Sequence, residues 1–198
     1  MNCYKQAKQV EHNYSWVYVD LPANIAKEVV SLGKQIDKED LFNGEGDGGL
    51  ETEPHVTVKY GLLTDDVKEI KACLDKANGG TAHLETSSIF EGEKYDVVKI
   101  HVESEALEKL HETLNRLCHE DKHPIYHAHA TIAYVKPGCG KKYDGKFKIG
   151  KSFKIDKVYF GNRDDKNFGI KLANTDWYAR YCSPVHFGRT LAYQEVIM

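Results

Sequence analysis

The stretch His55-Val56-Thr57-Val58-Lys59-Tyr60 recurs in the same form at His129-Ala130-Thr131-Ile132-Ala133-Tyr134. Both copies read His-x-Thr-apolar-x-Tyr and lie among residues that favour strands. Because side chains alternate faces along a strand, the His and Thr of each copy are predicted to share one face. The apolar residues and the closing tyrosines, Tyr60 and Tyr134, are predicted to point to the opposite, buried face.

Strands and helices are predicted on both sides of the first copy, and again around the second. Before and after the first copy, apolar spacing predicts a strand over 14–21 and helices over 24–36 and from residue 64. Before the second copy it predicts strands over 82–90 and 95–102 and a helix from residue 104, and after it strands over 152–160 and 167–172. This order predicts an α+β fold of two similar lobes in a single bilobal domain over 1–198, with its core at 14–172 and a C-terminal tail at 173–198.

The composition is that of a protein with a substantial core and little net charge. The 198 residues are 41% hydrophobic and 29% charged, with a formal net charge of -3. This balance argues against a protein that coats long nucleic acid through its phosphates. No window approaches the roughly 18 apolar residues of a membrane span, and residues 1–10 are polar, so we expect no membrane association and an intracellular, cytoplasmic location.

The cysteine and histidine spacing bears on metal binding. Five cysteines are scattered without a CxxC spacing, which predicts free thiols rather than a disulfide framework or zinc knuckle. His127 and His129 share a strand face and could form a zinc pair, although no CxxC or HExxH pattern supplies further ligands. The alternative is that His127 is a neighbour that tunes the site, or an exposed residue.

The repeated pair suggests acid–base chemistry. Histidine has an ordinary pKa near 6.5, so of two histidines in one cleft one can be neutral and the other protonated near neutral pH. General base and general acid catalysis acting together requires that combination. Threonine hydroxyls on the same face could donate hydrogen bonds to an oxygen between the histidines, and a phosphate group fits such a clamp.

The duplicated His-x-Thr strands resemble the two-histidine (2H) phosphoesterase superfamily, which includes RNA ligase-like cyclic phosphodiesterases. The resemblance covers about 14–172 and implies two antiparallel sheets flanked by helices around a central cleft. It implies metal-independent cleavage of a phosphodiester without a cofactor. His55 and His129 would be the base and the acid, in an order that the sequence leaves open, and Thr57 and Thr131 would hold the phosphate.

The same resemblance bears on the substrate. Small viral and phage members of the superfamily degrade cyclic nucleotide and cyclic oligonucleotide immune signals, and this chain is similar in having little besides the two lobes. It implies a small nucleotide or short oligonucleotide substrate, encountered in the host cytoplasm if the protein is viral. The alternatives are an enzyme acting on RNA 2′,3′-cyclic phosphate ends or 2′-5′ linkages, and a non-catalytic nucleotide-binding module.

Residues outside the repeat are the candidate substrate contacts. They are aromatic or basic and number six: Tyr14, Trp16, Tyr18, Lys142, Tyr143 and Trp177. The three in the first strand share a face and could stack a base or pack the core. The two in the Gly-rich loop could bind phosphate or form a solvated turn, and the tryptophan of the tail could close as a lid or pack on a lobe.

Overall fold

The computed structural model describes residues 14–43, 49–120 and 125–173. Trp177 and the predicted tail beyond residue 173 lie outside these ranges. Within them the chain forms β1 (Ser15–Asp20), α1 (Ala23–Gly33), β2 (Gly49–Leu50), β3 (His55–Leu62), α2 (Val67–Cys73), β4 (Gly80–Phe90), β5 (Asp96–Glu103), α3 (Glu105–Leu114), β6 (His129–Val135), β7 (Lys148–Ile155), β8 (Lys157–Gly161) and β9 (Asn167–Lys171). A 3-10 helix, Gly140–Tyr143, lies between β6 and β7.

The described strands form one curled antiparallel sheet in the order β7-β4-β5-β6-β3-β1-β8-β9, with β2 added to β6. It divides into a first half (β3, β1, β8, β9) and a second half (β6, β5, β4, β7), and each half contains one His-x-Thr strand. The halves are joined where Val56 of β3 pairs with Ala130 of β6. The predicted α+β, bilobal fold is confirmed. The two predicted antiparallel sheets are joined at this junction into one continuous sheet.

The helices cover the apolar back of the sheet. In α3, the Ser104 side chain accepts a hydrogen bond from the Leu107 N–H at 3.3 Å and caps the helix, whose leucine stripe is buried. Helix α1 follows a strand of the first half but packs on β6 of the second half. No helix of the described ranges is long and apolar enough to cross a membrane.

One predicted strand is wrong. The segment 152–160 is divided at Asp156 into the end of β7, which pairs with β4, and the start of β8, which pairs with β1. Asp156 alone therefore connects β7, at one end of the strand order, to β8 in the first half of the sheet. The Asp156 carbonyl accepts from the Leu172 N–H at 2.9 Å, and the Ala173 carbonyl accepts from the Gly79 N–H at 3.4 Å, so the two ends of the curled sheet meet here.

Candidate active site

The junction between β3 and β6 determines how the two motifs face each other. Val56 and Ala130, which pair across it, are fully buried, so the residues on either side of them project from the opposite face. In an antiparallel pair this register sets His55 next to Thr131, and Thr57 next to His129. The four predicted residues therefore lie together, each histidine beside the threonine of the other copy.

Both histidine rings are held in the same way. Nδ1 of His55 donates to the Glu53 carbonyl at 3.1 Å, and Nδ1 of His129 donates to the His127 carbonyl at 2.7 Å. Since a carbonyl can only accept, these contacts place a hydrogen on Nδ1 of each ring. Nε2 of each ring is the atom left to take up or release a proton.

A β-bulge follows the threonine in both copies. Thr57 pairs with Tyr18, whereas Lys59 pairs with the adjacent Val17, so Val58 is an extra residue in β3. The same insertion occurs at Ile132 in β6. A bulge changes the alternation of faces beyond it, so side chains after the threonine no longer follow the pattern of a regular strand.

The predicted orientation of the two closing tyrosines is wrong because of these bulges. Tyr60 is 43% exposed and meets Tyr14 edge-on, with ring centroids 5.8 Å apart. Tyr134 pairs with Val97 and lines a cavity together with Thr131. Neither tyrosine lies with the buried apolar residues of its strand, and both border the cleft.

Two residues that the sequence does not single out hold the first bulge. Nδ1 of His111 donates to the Val58 carbonyl at 2.7 Å, and the Tyr126 hydroxyl donates to the Thr57 carbonyl at 2.9 Å. The two rings stack with centroids 4.2 Å apart, and burial raises the pKa of Tyr126, so its hydroxyl remains a donor. Tyr126, which lies just before the second motif, thus fixes the backbone of the first.

The surroundings of His129 favour its neutral form. Burial lowers the pKa of His129 to about 4, and the charges of Lys99, His55 and His127 act in the same direction. The hydrogen bond to the His127 carbonyl opposes this shift but does not overcome it. The Phe90 ring meets the His129 ring edge-on at 5.1 Å. His129 is therefore neutral at pH 7 and able to accept a proton.

On the other side of the cleft, Tyr18 contacts His55. The two rings meet edge-on at 5.3 Å, and Tyr18 stacks on Tyr159 at 5.5 Å. Burial raises the pKa of Tyr18 to about 12, so the phenol stays protonated. Of the other first-strand aromatics, Trp16 packs against Gly161, where a Cβ would lie 2.6 Å from the indole ring.

Tyr14, the third of the first-strand aromatics, lies at the edge of the site. Its hydroxyl donates to Glu120 at 2.5 Å, and this hydrogen bond raises the pKa of Tyr14. Tyr60 and Glu120, which Tyr14 contacts, line the cavity that is also lined by Thr57. Of the aromatic residues predicted in the first strand, Tyr18 contacts His55 and Tyr14 contacts residues that line the cavity.

The structure does not bring the predicted loop residues to the cleft. Tyr143 is fully buried, and its hydroxyl donates to Asp40 at 2.5 Å. Lys142 pairs with Asp37 and Asp40 at 2.9 and 2.5 Å, and those carboxylates raise its pKa. Their assignment as substrate contacts is corrected, because these two residues anchor the 3-10 helix to the segment after α1. Trp177 lies outside the described residues.

Two adjoining cavities open beside the motifs. One of about 230 Å³ is lined by Thr57, and the other, of about 550 Å³, by Thr131. Phe90 and His129 line both, so the histidine stands where they meet. In the ranges that the structure describes, no three His, Cys, Asp or Glu residues are grouped so as to hold a metal ion.

A model of the 2′-5′ RNA ligase superfamily matches residues 35–167 of the chain, a span that includes both His-x-Thr strands. The chain belongs to this superfamily. The resemblance to the 2H phosphoesterases is thereby confirmed, and this protein is an enzyme of the phosphodiesterase type. No curated protein matches its sequence.

Solved structures share the fold at low sequence identity. A phosphoesterase matches with 15% identity and a TM-score of 0.52, over 81% of this chain and 96% of its own. Kluyveromyces marxianus Usb1 with uridine monophosphate matches with 10% identity and a TM-score of 0.50, over 82% of this chain and 100% of its own. Escherichia coli LigT with 3′-AMP matches with 14% identity and a TM-score of 0.50, over 82% and 96%.

Proposed function

We propose that this 2H phosphoesterase hydrolyses a phosphodiester of a small nucleotide, and that its substrate is a cyclic nucleotide or cyclic oligonucleotide of the kind used in immune signalling. The observation that carries the proposal is the pairing of Val56 with Ala130, which sets each histidine beside the threonine of the other copy. A phosphate between them has non-bridging oxygens for two hydroxyl donors, and attacking and leaving oxygens for two imidazoles.

In the proposed reaction His129 is the general base and His55 the general acid. Nε2 of His129 takes the proton from the attacking oxygen, which belongs to water when the diester is hydrolysed directly, or to a ribose 2′-hydroxyl when a 2′,3′-cyclic phosphate forms first. Nε2–H of His55 gives a proton to the leaving oxygen as its bond to phosphorus breaks. The lowered pKa of His129 supports this order, because a histidine that is neutral at pH 7 cannot supply the acid's proton.

Three observations support a small nucleotide as the substrate. The net charge of -3 argues against a protein that binds long nucleic acid through its phosphates. Tyr18 beside His55 and Phe90 beside His129 offer aromatic surfaces on both sides of the proposed phosphate. The structures of Usb1 and LigT with similar folds contain uridine monophosphate and 3′-AMP.

The second candidate is hydrolysis of RNA 2′,3′-cyclic phosphate ends or 2′-5′ linkages, which the same four side chains could perform. A non-catalytic nucleotide-binding module is a further alternative. The matching hydrogen bonds at Nδ1 count against a module, because binding alone does not require two imidazoles that both keep Nε2 for proton transfer.

A substrate panel tests the proposal. The purified protein is incubated in EDTA with cyclic dinucleotides and trinucleotides, 2′,3′-cyclic nucleotides and 2′-5′ oligoadenylate, beside the variant His129→Gln. We expect cleavage of a cyclic substrate that persists in EDTA and is lost in the variant. Cleavage restricted to 2′,3′-cyclic ends or 2′-5′ linkages would favour the second candidate. Binding without cleavage would favour the module, and activity restored by zinc or manganese would contradict the histidine mechanism.

A further inference from the structure

Lys99 is a buried amine on the catalytic face of the second half. Its side chain is 4% exposed, although lysine is among the residues least often buried. In the sheet it pairs with Thr131 of β6 on one side and with Ser88 of β4 on the other. Residues directly opposite each other share a face, so Lys99 projects to the side on which Thr131 and His129 lie.

The contacts of the ammonium leave its charge uncompensated. Nζ donates to the Ser88 hydroxyl at 2.7 Å and lies 4.0 Å from the centroid of the Phe90 ring. In the part of the chain that the structure describes, no carboxylate lies within ion-pair distance of it. Burial lowers the pKa of Lys99, and the charge of Asp144 opposes this only in part. An ammonium has three donors, and Ser88 accepts from one of them.

The corresponding position in the first half has a different chemistry. There the residue that pairs with the motif threonine Thr57 is Tyr18, a phenol that remains neutral. The two copies of the motif are thus alike in histidine and threonine but differ in the neighbour of the threonine. Lys99 places a cation beside Thr131, whereas Tyr18 places a neutral ring beside Thr57. An anion in the cleft is therefore attracted toward the strand that carries His129.

We propose that Lys99 is a phosphate-binding residue, whose ammonium donates with Thr131 to a non-bridging oxygen of the substrate phosphodiester. This proposal rests on the proposed function. Phe90 lies against both the ammonium and the His129 ring, so the amine and the base border the same exposed side chain. A buried cation without a counterion is costly, and a bound anion offsets that cost with charge-assisted hydrogen bonds. The enzyme therefore selects substrates that carry a negative charge at the bond to be cleaved.

The test compares ligands that differ in charge. Inorganic phosphate is titrated into the full-length protein and followed by ³¹P NMR, beside an uncharged dinucleoside methylphosphonate followed by calorimetry. In Lys99→Met we expect the Kd for phosphate to rise by about tenfold to a hundredfold, because a charge-assisted hydrogen bond is lost. Methylphosphonate binding should not change, and Lys99→Arg should retain phosphate binding. The matched control is Lys146→Met, since Lys146 also lies over an aromatic ring, 4.8 Å from the centroid of Tyr143, away from the cleft.

The outcomes separate this proposal from a structural role and from the proposed function. Replacing a buried ammonium by a methionine of similar length should leave Tm unchanged or raise it. A lowered Tm together with an equal loss of affinity for both ligands would overturn the proposal and show that Lys99 has a structural role. Equal phosphate affinity in wild type and Lys99→Met would also overturn it. If phosphate binding depends on Lys99 but no diester is cleaved, the hydrolase proposal fails and the assignment of Lys99 stands. If diesters are cleaved equally by Lys99→Met, the assignment of Lys99 alone fails.

Discussion

Replacing His129 by glutamine should remove a defined part of the protein's sensitivity to acid. The pKa of His129 is about 4 in the folded protein, against an ordinary value of 6.5 in the unfolded chain. Between these values the unfolded chain binds a proton that the folded protein does not, so the free energy of unfolding falls as the pH falls through that range. The loss is about 2 kcal/mol between pH 7 and pH 5, and about 3 kcal/mol by pH 4.

Urea unfolding at pH 7 and pH 5 measures this difference. His129→Gln should lose about 2 kcal/mol less than wild type between the two pH values, because glutamine does not titrate. His83→Gln is the control for the loss of an imidazole elsewhere in the sheet, since that histidine lies on β4 and contacts the Ser152 hydroxyl at 2.9 Å. An equal loss in wild type and His129→Gln would refute the neutral state of His129, and with it the base assignment.

Three further predictions concern other parts of the molecule. His55→Gln should lower kcat at least about a hundredfold with Tm unchanged, because the proton donor is lost, and a near-normal rate would contradict its role. Tyr126→Phe should lower kcat about tenfold with Tm unchanged, because the Thr57 carbonyl loses its hydrogen-bond donor; unchanged kinetics would show that the bulge does not depend on this hydrogen bond. Asp96→Ala should reduce the free energy of unfolding by about 3 kcal/mol in urea, because its carboxylate accepts from three glycine N–H groups; a changed KM would contradict a purely structural role.

The four motif residues could be found from the sequence because strand alternation and duplication are local patterns. His55 and Thr57 share a face for the reason that the spacing predicts, and so do His129 and Thr131. The relation between the two pairs was not predictable, since it depends on the meeting of Val56 with Ala130 across 74 residues of chain. That pairing is a tertiary contact, which no local pattern encodes.

The wrong orientation predicted for Tyr60 and the unpredicted burial of Lys99 also result from tertiary contacts. The bulge at Val58 is held by hydrogen bonds from His111 and Tyr126, which lie far along the chain, so the orientation of Tyr60 could not follow from alternation. The sequence does not single out Lys99, because a lysine in a strand ordinarily faces solvent. Its burial depends on Phe90 and Ser88, which come from a neighbouring strand.

The meeting of the two ends of the sheet at Asp156 has a consequence for substrate selection. The halves are connected at Val56 and Ala130 beside the histidines, and again at the far edge, where Asp156 links β7 to β8. Because the halves are tied at both places, we expect the separation of the two imidazoles to change little when a ligand binds. In the proposed reaction the two imidazoles would then fit the span of one phosphate, and ligands of different size would be accommodated by side chains around the rim of the cleft.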